Sequence, residues 1–125
     1  MKIITFFGTC SARSELTIVS QQISTPFVLR KIHMSFGEGC NNLMQISVFT
    51  APDNQAPTTG KPNGVNAMQE YGQVNYIVGD GDQKDVEHEV KINVANTYIK
   101  VYANNTDYYD HDVDVIVTVE PTERR

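Results

Sequence analysis

This sequence predicts an all-β protein, a two-sheet β-sandwich of about eight strands in a jelly-roll-like order. Three observations carry that expectation. Apolar residues recur at every second position through much of the chain, which is the period of a half-buried strand. Clusters of Gly, Pro, Asn, Asp and Ser interrupt the alternating runs at the short intervals typical of sandwiches. No segment sustains a helical period. An immunoglobulin-like sandwich is the alternative, although the chain has no Trp and lacks the Cys…Trp…Cys spacing of a true immunoglobulin domain.

The stretch from Phe27 to Thr50 organises the chain. In its first arm Val28, Ile32, Met34 and Phe36 share one face, and Lys31, His33 and Ser35 the other. In its second arm Met44, Ile46 and Val48 alternate with Gln45 and Ser47. The short, polar, glycine-bearing link between the arms predicts a hairpin whose apolar face lies on a second sheet.

The remaining elements follow in order. Ile3 to Phe7 is a short apolar strand; Lys2 and this run give only about half the apolar length that a signal peptide needs. Glu15 to Ile23 is a β-branched strand, broken by Ser24-Thr25-Pro26 because proline supplies no ladder donor. Residues 51–72 hold Pro52, Pro57 and Pro62 with Gly60, Gly64 and Gly72, and predict one long loop with a turn at Asn63-Gly64. Gln73 to Val78 is a strand, followed by the turn Gly79-Asp80-Gly81-Asp82. Asp85 to Val94 is a strand with Val86, His88, Val90, Ile92 and Val94 on one face. Thr97 to Ala103 buries either Ile99 and Val101 or Tyr98 and Tyr102. Asp112 to Val119 closes the domain with Val113, Val115, Val117 and Val119 inward.

The 125 residues form one domain, 1–125, with the loop at 51–72 as its one long irregular stretch. A net charge of -5 with scattered Lys and Arg argues against nucleic-acid binding, which needs clustered cations. No apolar run approaches the length of a membrane-spanning helix, so no membrane partner is expected. Cys10 and Cys40 form no close metal or redox pair and read as free thiols suited to a reducing cytoplasm; a disulfide between them stays geometrically open.

Two acidic stretches are candidate metal sites. Asp80, Asp82 and Asp85 lie in and beside a glycine-bearing turn, where carboxylates converge on a hard cation such as calcium, but the further ligands of an EF-hand are missing. An acidic hairpin turn is the plainer reading. Asp110, Asp112 and Asp114 line one face of an extended segment, to be solvated, met by a basic neighbour or neutralised by a cation. His33, His88 and His111 form no cluster in sequence, and no His/Cys spacing matches zinc. No nucleophile frame or placed carboxylate pair predicts an enzyme. The expected cofactor is therefore none, with calcium as the alternative.

The segment LRKIHMSFGEGCNNLMQISVF resembles one found in small structural proteins of tailed phages and related viruses. There a strand of the form P-x-x-L-x-x-I-x-x-x-F leads into a G-C-N-x-L turn and another strand. The matching residues are Pro26, Leu29, Ile32 and Phe36, then Gly39, Cys40, Asn41 and Leu43. The closing YIKVYANNTDYYDHDVDVIVTVE is similar to the last two strands of such sandwiches, so the resemblance covers about half the chain. It implies an accessory virion protein, made in the host cytoplasm, whose partners are the major capsid protein or other virion proteins. Capsid decoration is the first reading, and a tail or fibre component the next. It also implies a homo-oligomer, with a trimer suited to a site of local threefold symmetry. No catalytic residue is carried over. The expected contacts are the first strand, through Ile3, Ile4, Phe6 and Phe7, and the loop, through Pro57, Pro62, Val65, Met68 and Tyr71. The rival reading is a carbohydrate- or cell-surface-binding module using Tyr108, Tyr109 and the aspartates from Asp110 to Asp114, with or without calcium.

Overall fold

A computed structural model describes residues 2–37, 43–56, 62–66, 77–81, 83–86 and 90–121. Nine strands lie among them: β1 (Lys2–Cys10), β2 (Glu15–Val19), β3 (Phe27–Ser35), β4 (Met44–Ala51), β5 (Val65–Asn66), β6 (Gln83–Val86), β7 (Val90–Ile92), β8 (Tyr98–Asn105) and β9 (His111–Pro121). They form two sheets. Sheet A runs β1-β9-β3-β6, with β7 also paired to β3, and sheet B runs β2-β8-β4-β5. All pairings are antiparallel.

β6 pairs with Ile32–Ser35 and β7 with Phe27–Leu29, so the two share one lane beside β3. With that lane taken as one strand, strands adjacent in sequence alternate between the sheets or return by long connections. This is the strand order of a jelly roll. The lane corresponds to the single strand expected over Asp85–Val94, with residues 87–89, His88 among them, outside the described residues. Val94 lies beyond β7 and is 63% exposed, so it does not share the buried face expected for it.

The core lies between the sheets. β9 points Val113, Val115, Val117 and Val119 inward, all fully buried, and β4 points Met44, Ile46 and Val48 inward to meet them. Ile99, Val101 and Ala103 of β8 complete the facing layer. Branched side chains suit this arrangement, because they pack on a pleated surface with little rotamer entropy to lose.

The expected hairpin over Phe27–Thr50 does not form. β3 belongs to sheet A and β4 to sheet B, and the two never pair. Their apolar faces look at each other across the core, so the link between them crosses from one sheet to the other. Alternation is the same in a hairpin and in such an arch, since both bury one face of each arm. A second correction lies inside β3. A register shift between Leu29 and Lys31 leaves Arg30 as the extra residue of a β-bulge. Phe27 and Leu29 therefore share the core face with Ile32, Met34 and Phe36, while Val28 does not join them.

The expected second strand is interrupted. β2 ends at Val19, and Ser20 Oγ then accepts the Ile99 amide at 3.0 Å. Ile23 returns as an isolated bridge to Thr97. Of the strand expected over Gln73–Val78, residues 73–76 lie outside the described residues; Ile77 forms an antiparallel bridge with Ile46.

Candidate interaction surface

β1 is an edge strand. It pairs with β9 from Lys2↔Val119 to Cys10↔His111 and, among the described residues, with no strand on its other side. From Ile4 onward its even-numbered side chains enter the core: Phe6 and Cys10 are buried, and Ile4 is packed against the core cluster. Gly8 faces inward too, and a Cβ there would stand 3.3 Å from the tips of Leu16 and Ile18. Its missing side chain lets β2 close over β1. The odd-numbered side chains face out, and Ile3 and Phe7 are 66% and 67% exposed. Ile4 and Phe6 are thus core residues rather than the contact residues expected of them, while Ile3 and Phe7 stand where a contact needs them. From Ile3 to Cys10 the edge carries no charge and no proline. Over that span the edge lacks the charges and prolines that keep an edge strand from pairing.

Part of the loop after β4 is tied to the domain. β5 pairs with Phe49 and Thr50 of β4. Pro62 and Asn66 are buried, so Pro62 is not the surface contact expected, whereas Val65 is 56% exposed. At Gly64 φ is 131° and a Cβ would lie 2.5 Å from the Thr50 carbonyl oxygen, so only glycine fits. Pro57, Met68 and Tyr71 lie outside the described residues. Beside β5 an open, mainly apolar cleft of about 480 Å³ is lined by Pro52, Val65, Ile92, Val94 and Ala95 among others.

On the outer face of sheet B, Lys100 is fully buried and its Nζ donates to Asp53 Oδ1 at 2.5 Å. The Lys100 hydrogen bond is the main reason the Asp53 carboxyl is held below its ordinary range, and the Gln55 amide adds to it. Tyr102, also outward and buried, donates to Glu15. Burial first, and then Glu15, push its hydroxyl well above the ordinary tyrosine value. Phe49 meets the Tyr102 ring edge-to-face, with centroids 6.4 Å apart. Both Ile99/Val101 and Tyr102 are therefore buried, on opposite faces of one strand.

The expected acidic sites are divided among other partners. Asp85 is bonded to His33 Nδ1 at 2.5 Å, with Lys31 Nζ at 3.9 Å. The His33 bond is the main cause of its lowered pKa. Asp82 lies outside the described residues, and Gly81 N donates to Gly37 O, tying the turn that holds Asp80 to the end of β3. Asp110 accepts the Ala12 amide at 2.8 Å, Asp112 accepts the Thr9 hydroxyl at 3.0 Å, and Asp114 lies opposite Phe7 and Ser35. Among the described residues, no three His, Cys, Asp or Glu side chains gather as a metal site. Cys10 is buried and free, its Sγ–H donating to Ser14 O, and burial raises its pKa; Cys40 lies outside the described residues.

Two buried anchors escaped the sequence reading. Asn105 Nδ2 donates to the carbonyls of Cys10, Ser11 and Tyr109, and its Oδ1 accepts the Asp107 amide. Asp107 accepts from the Tyr108 amide and pairs with His111 Nε2 at 2.8 Å, and the His111 bond is the main cause of its lowered pKa. The Asn105-x-Asp107 spacing is that of an Asx-turn and was the available signal. These bonds fix the loop that presents Tyr108 and Tyr109, 72% and 73% exposed, with the Arg13 guanidinium 4.9 Å from the Tyr108 ring centre.

No protein-family model and no curated protein matches this chain. Among solved structures, the Yersinia pseudotuberculosis-derived mitogen YPM is similar over 98% of this chain and 90% of that one, at 12% identity and a TM-score of 0.45. A likeness at that level says nothing about activity.

Proposed function

We propose that this chain is a non-enzymatic structural component of a virion, a capsid decoration protein that binds the shell surface and bridges capsomers. One observation carries the reading: two apolar surfaces flank opposite edges of sheet A. One is the bare edge of β1, with Ile3 and Phe7. The other is the cleft beside β7, where Val65 and Val94 are exposed. Bridging needs two separate holds, and apolar side chains grouped on the surface of a small domain mark contacts. The resemblance of residues 26–43 to phage structural proteins supplies the virion setting. Asp85, Asp110 and Asp112, which a calcium-assisted reading would use, are engaged in bonds to backbone and neighbouring side chains, which favours a protein contact over an ion-dependent one.

The test is made on particles. Density-gradient-purified virions should carry the chain in fixed ratio to the major capsid protein. Val65→Lys with Val94→Lys should release it while the isolated protein stays folded. Virions without the chain, or full retention of the doubly substituted protein, would refute the reading.

A further inference from the structure

We infer that the β1 edge is the seam of a homodimer, in which two copies pair their β1 strands antiparallel with Thr5 facing Thr5 across the two-fold axis. The inference deepens the bridging reading and rests on it for the purpose of the dimer, though not for the pairing.

The argument starts from what the edge offers. β1 is a nine-residue strand with a partner on one side only among the described residues. Each edge residue that does not bond β9 turns its amide and carbonyl outward, and a second strand satisfies both. The side chains then choose the occupant. On the outer face Ile3, Thr5 and Phe7 read as large apolar, hydroxyl, large apolar. That pattern is the same in kind from either direction, so a second copy running antiparallel supplies its own complement.

One register uses it fully. With Thr5 opposite Thr5, each Phe7 stands opposite Ile3 of the second copy, giving two aromatic–β-branched pairs around a Thr–Thr pair, both favoured cross-strand combinations. On the inner face Ile4 meets Phe6. The single charge of the strand, Lys2, falls opposite Gly8, so no like charges meet. Moving the axis to Phe6 would set Ile3 against Thr9 and Phe7 against Thr5, and both apolar pairs would be lost. The exposed apolar side chains and the unpaired backbone are thus covered together only in the Thr5-centred register. Such a contact is isologous and closes at two copies, which replaces the expected trimer for this edge. In the dimer the β1 edge holds the second copy instead of the shell, and the cleft beside β7 stays free in both copies, so the two clefts become the two holds that bridging needs.

Light scattering on the purified protein over a dilution series should read a dimer. Phe7→Lys and Ile3→Lys should each give a monomer with an unchanged circular dichroism spectrum, since both positions are exposed. The register is read by cross-linking in a Cys40→Ser background. Thr5→Cys should form an inter-subunit disulfide on mild oxidation, because directly opposed positions bring Cβ atoms within disulfide reach. Thr9→Cys should not. A monomer at every concentration, a trimer, a dimer indifferent to Phe7→Lys, or cross-linking at Thr9 instead of Thr5 would each overturn the inference. Particle binding by a monomer would leave the bridging reading standing, whereas a dimer absent from virions would sink that reading alone.

Discussion

The two outer faces of the sandwich differ, and the difference shows how little an isolated residue's identity says about its surroundings. Sheet A presents an open face. Lys31 there has a side chain 42% exposed near a half-exposed Asp85, and Arg30 reaches Glu120 at the rim. Sheet B presents a covered face, where Ser47, Phe49, Lys100 and Tyr102 are all buried. Lys31 and Lys100 look alike in sequence, each a cation in an alternating apolar run. One is an ordinary surface lysine, whose ion pair adds little stability in high dielectric. The other is a buried ammonium that must be paired, because desolvating an unpaired charge is costly. The same contrast recurs along β1, where Phe6 is 2% exposed and its neighbour Phe7 67%.

The largest expected effect lies in that phenylalanine pair. Phe6→Ala should cost about 3–5 kcal/mol in denaturant unfolding, through lost burial and the cavity left behind. Phe7→Ala should stay within about 0.5 kcal/mol in the monomer. Equal losses would mean that β1 does not face the core by its even positions. The next effect sharpens the lysine comparison. Asp53→Ala should lower the thermal midpoint clearly and Asp85→Ala hardly at all. Adding Lys100→Met to Asp53→Ala should recover much of the loss, since it removes the stranded charge and keeps the volume. If both aspartate variants behave alike, Lys100 is not dependent on its partner.

The smallest effect is the acid response. Asp53, Asp85 and Asp107 have folded pKa values below the ordinary 3.8. Between the folded and unfolded values the unfolded chain binds more protons, so stability rises with pH across that window. The contribution is present above about pH 3.8 and is lost as pH falls through the folded values. Asp107→Asn should flatten the acid limb of unfolding midpoints against pH by lowering the neutral-pH midpoint a little, while the midpoint at the acid end stays close to that of the parent. An unaltered acid limb would show that the Asp107–His111 pair does not contribute.

Much of the fold was legible because alternation is local. Val113 to Val119 and Met44 to Val48 announce which side chains face inward, whatever they face. The candidate surface was legible only in part. The run Ile3–Phe7 reads as uniformly apolar, and nothing within it says that Ile4 and Phe6 enter the core while Ile3 and Phe7 leave it. That parity depends on which face of β1 the other sheet covers.

By itself, then, the sequence determined an all-β chain, the inward valines of β9, the turn at Asn63-Gly64, and the division into two sheets. Each of these depends on residues a few positions apart. Only the tertiary structure decided that β3 and β4 face each other across the core instead of pairing, that Arg30 is the extra residue of a bulge, and that Lys100 is buried against Asp53. Those outcomes depend on which distant segment lies alongside. Asp53 is 47 residues from Lys100, and β9 takes its place beside β3 from the far end of the chain. A local period records that a face is covered, and the rest of the fold settles what covers it.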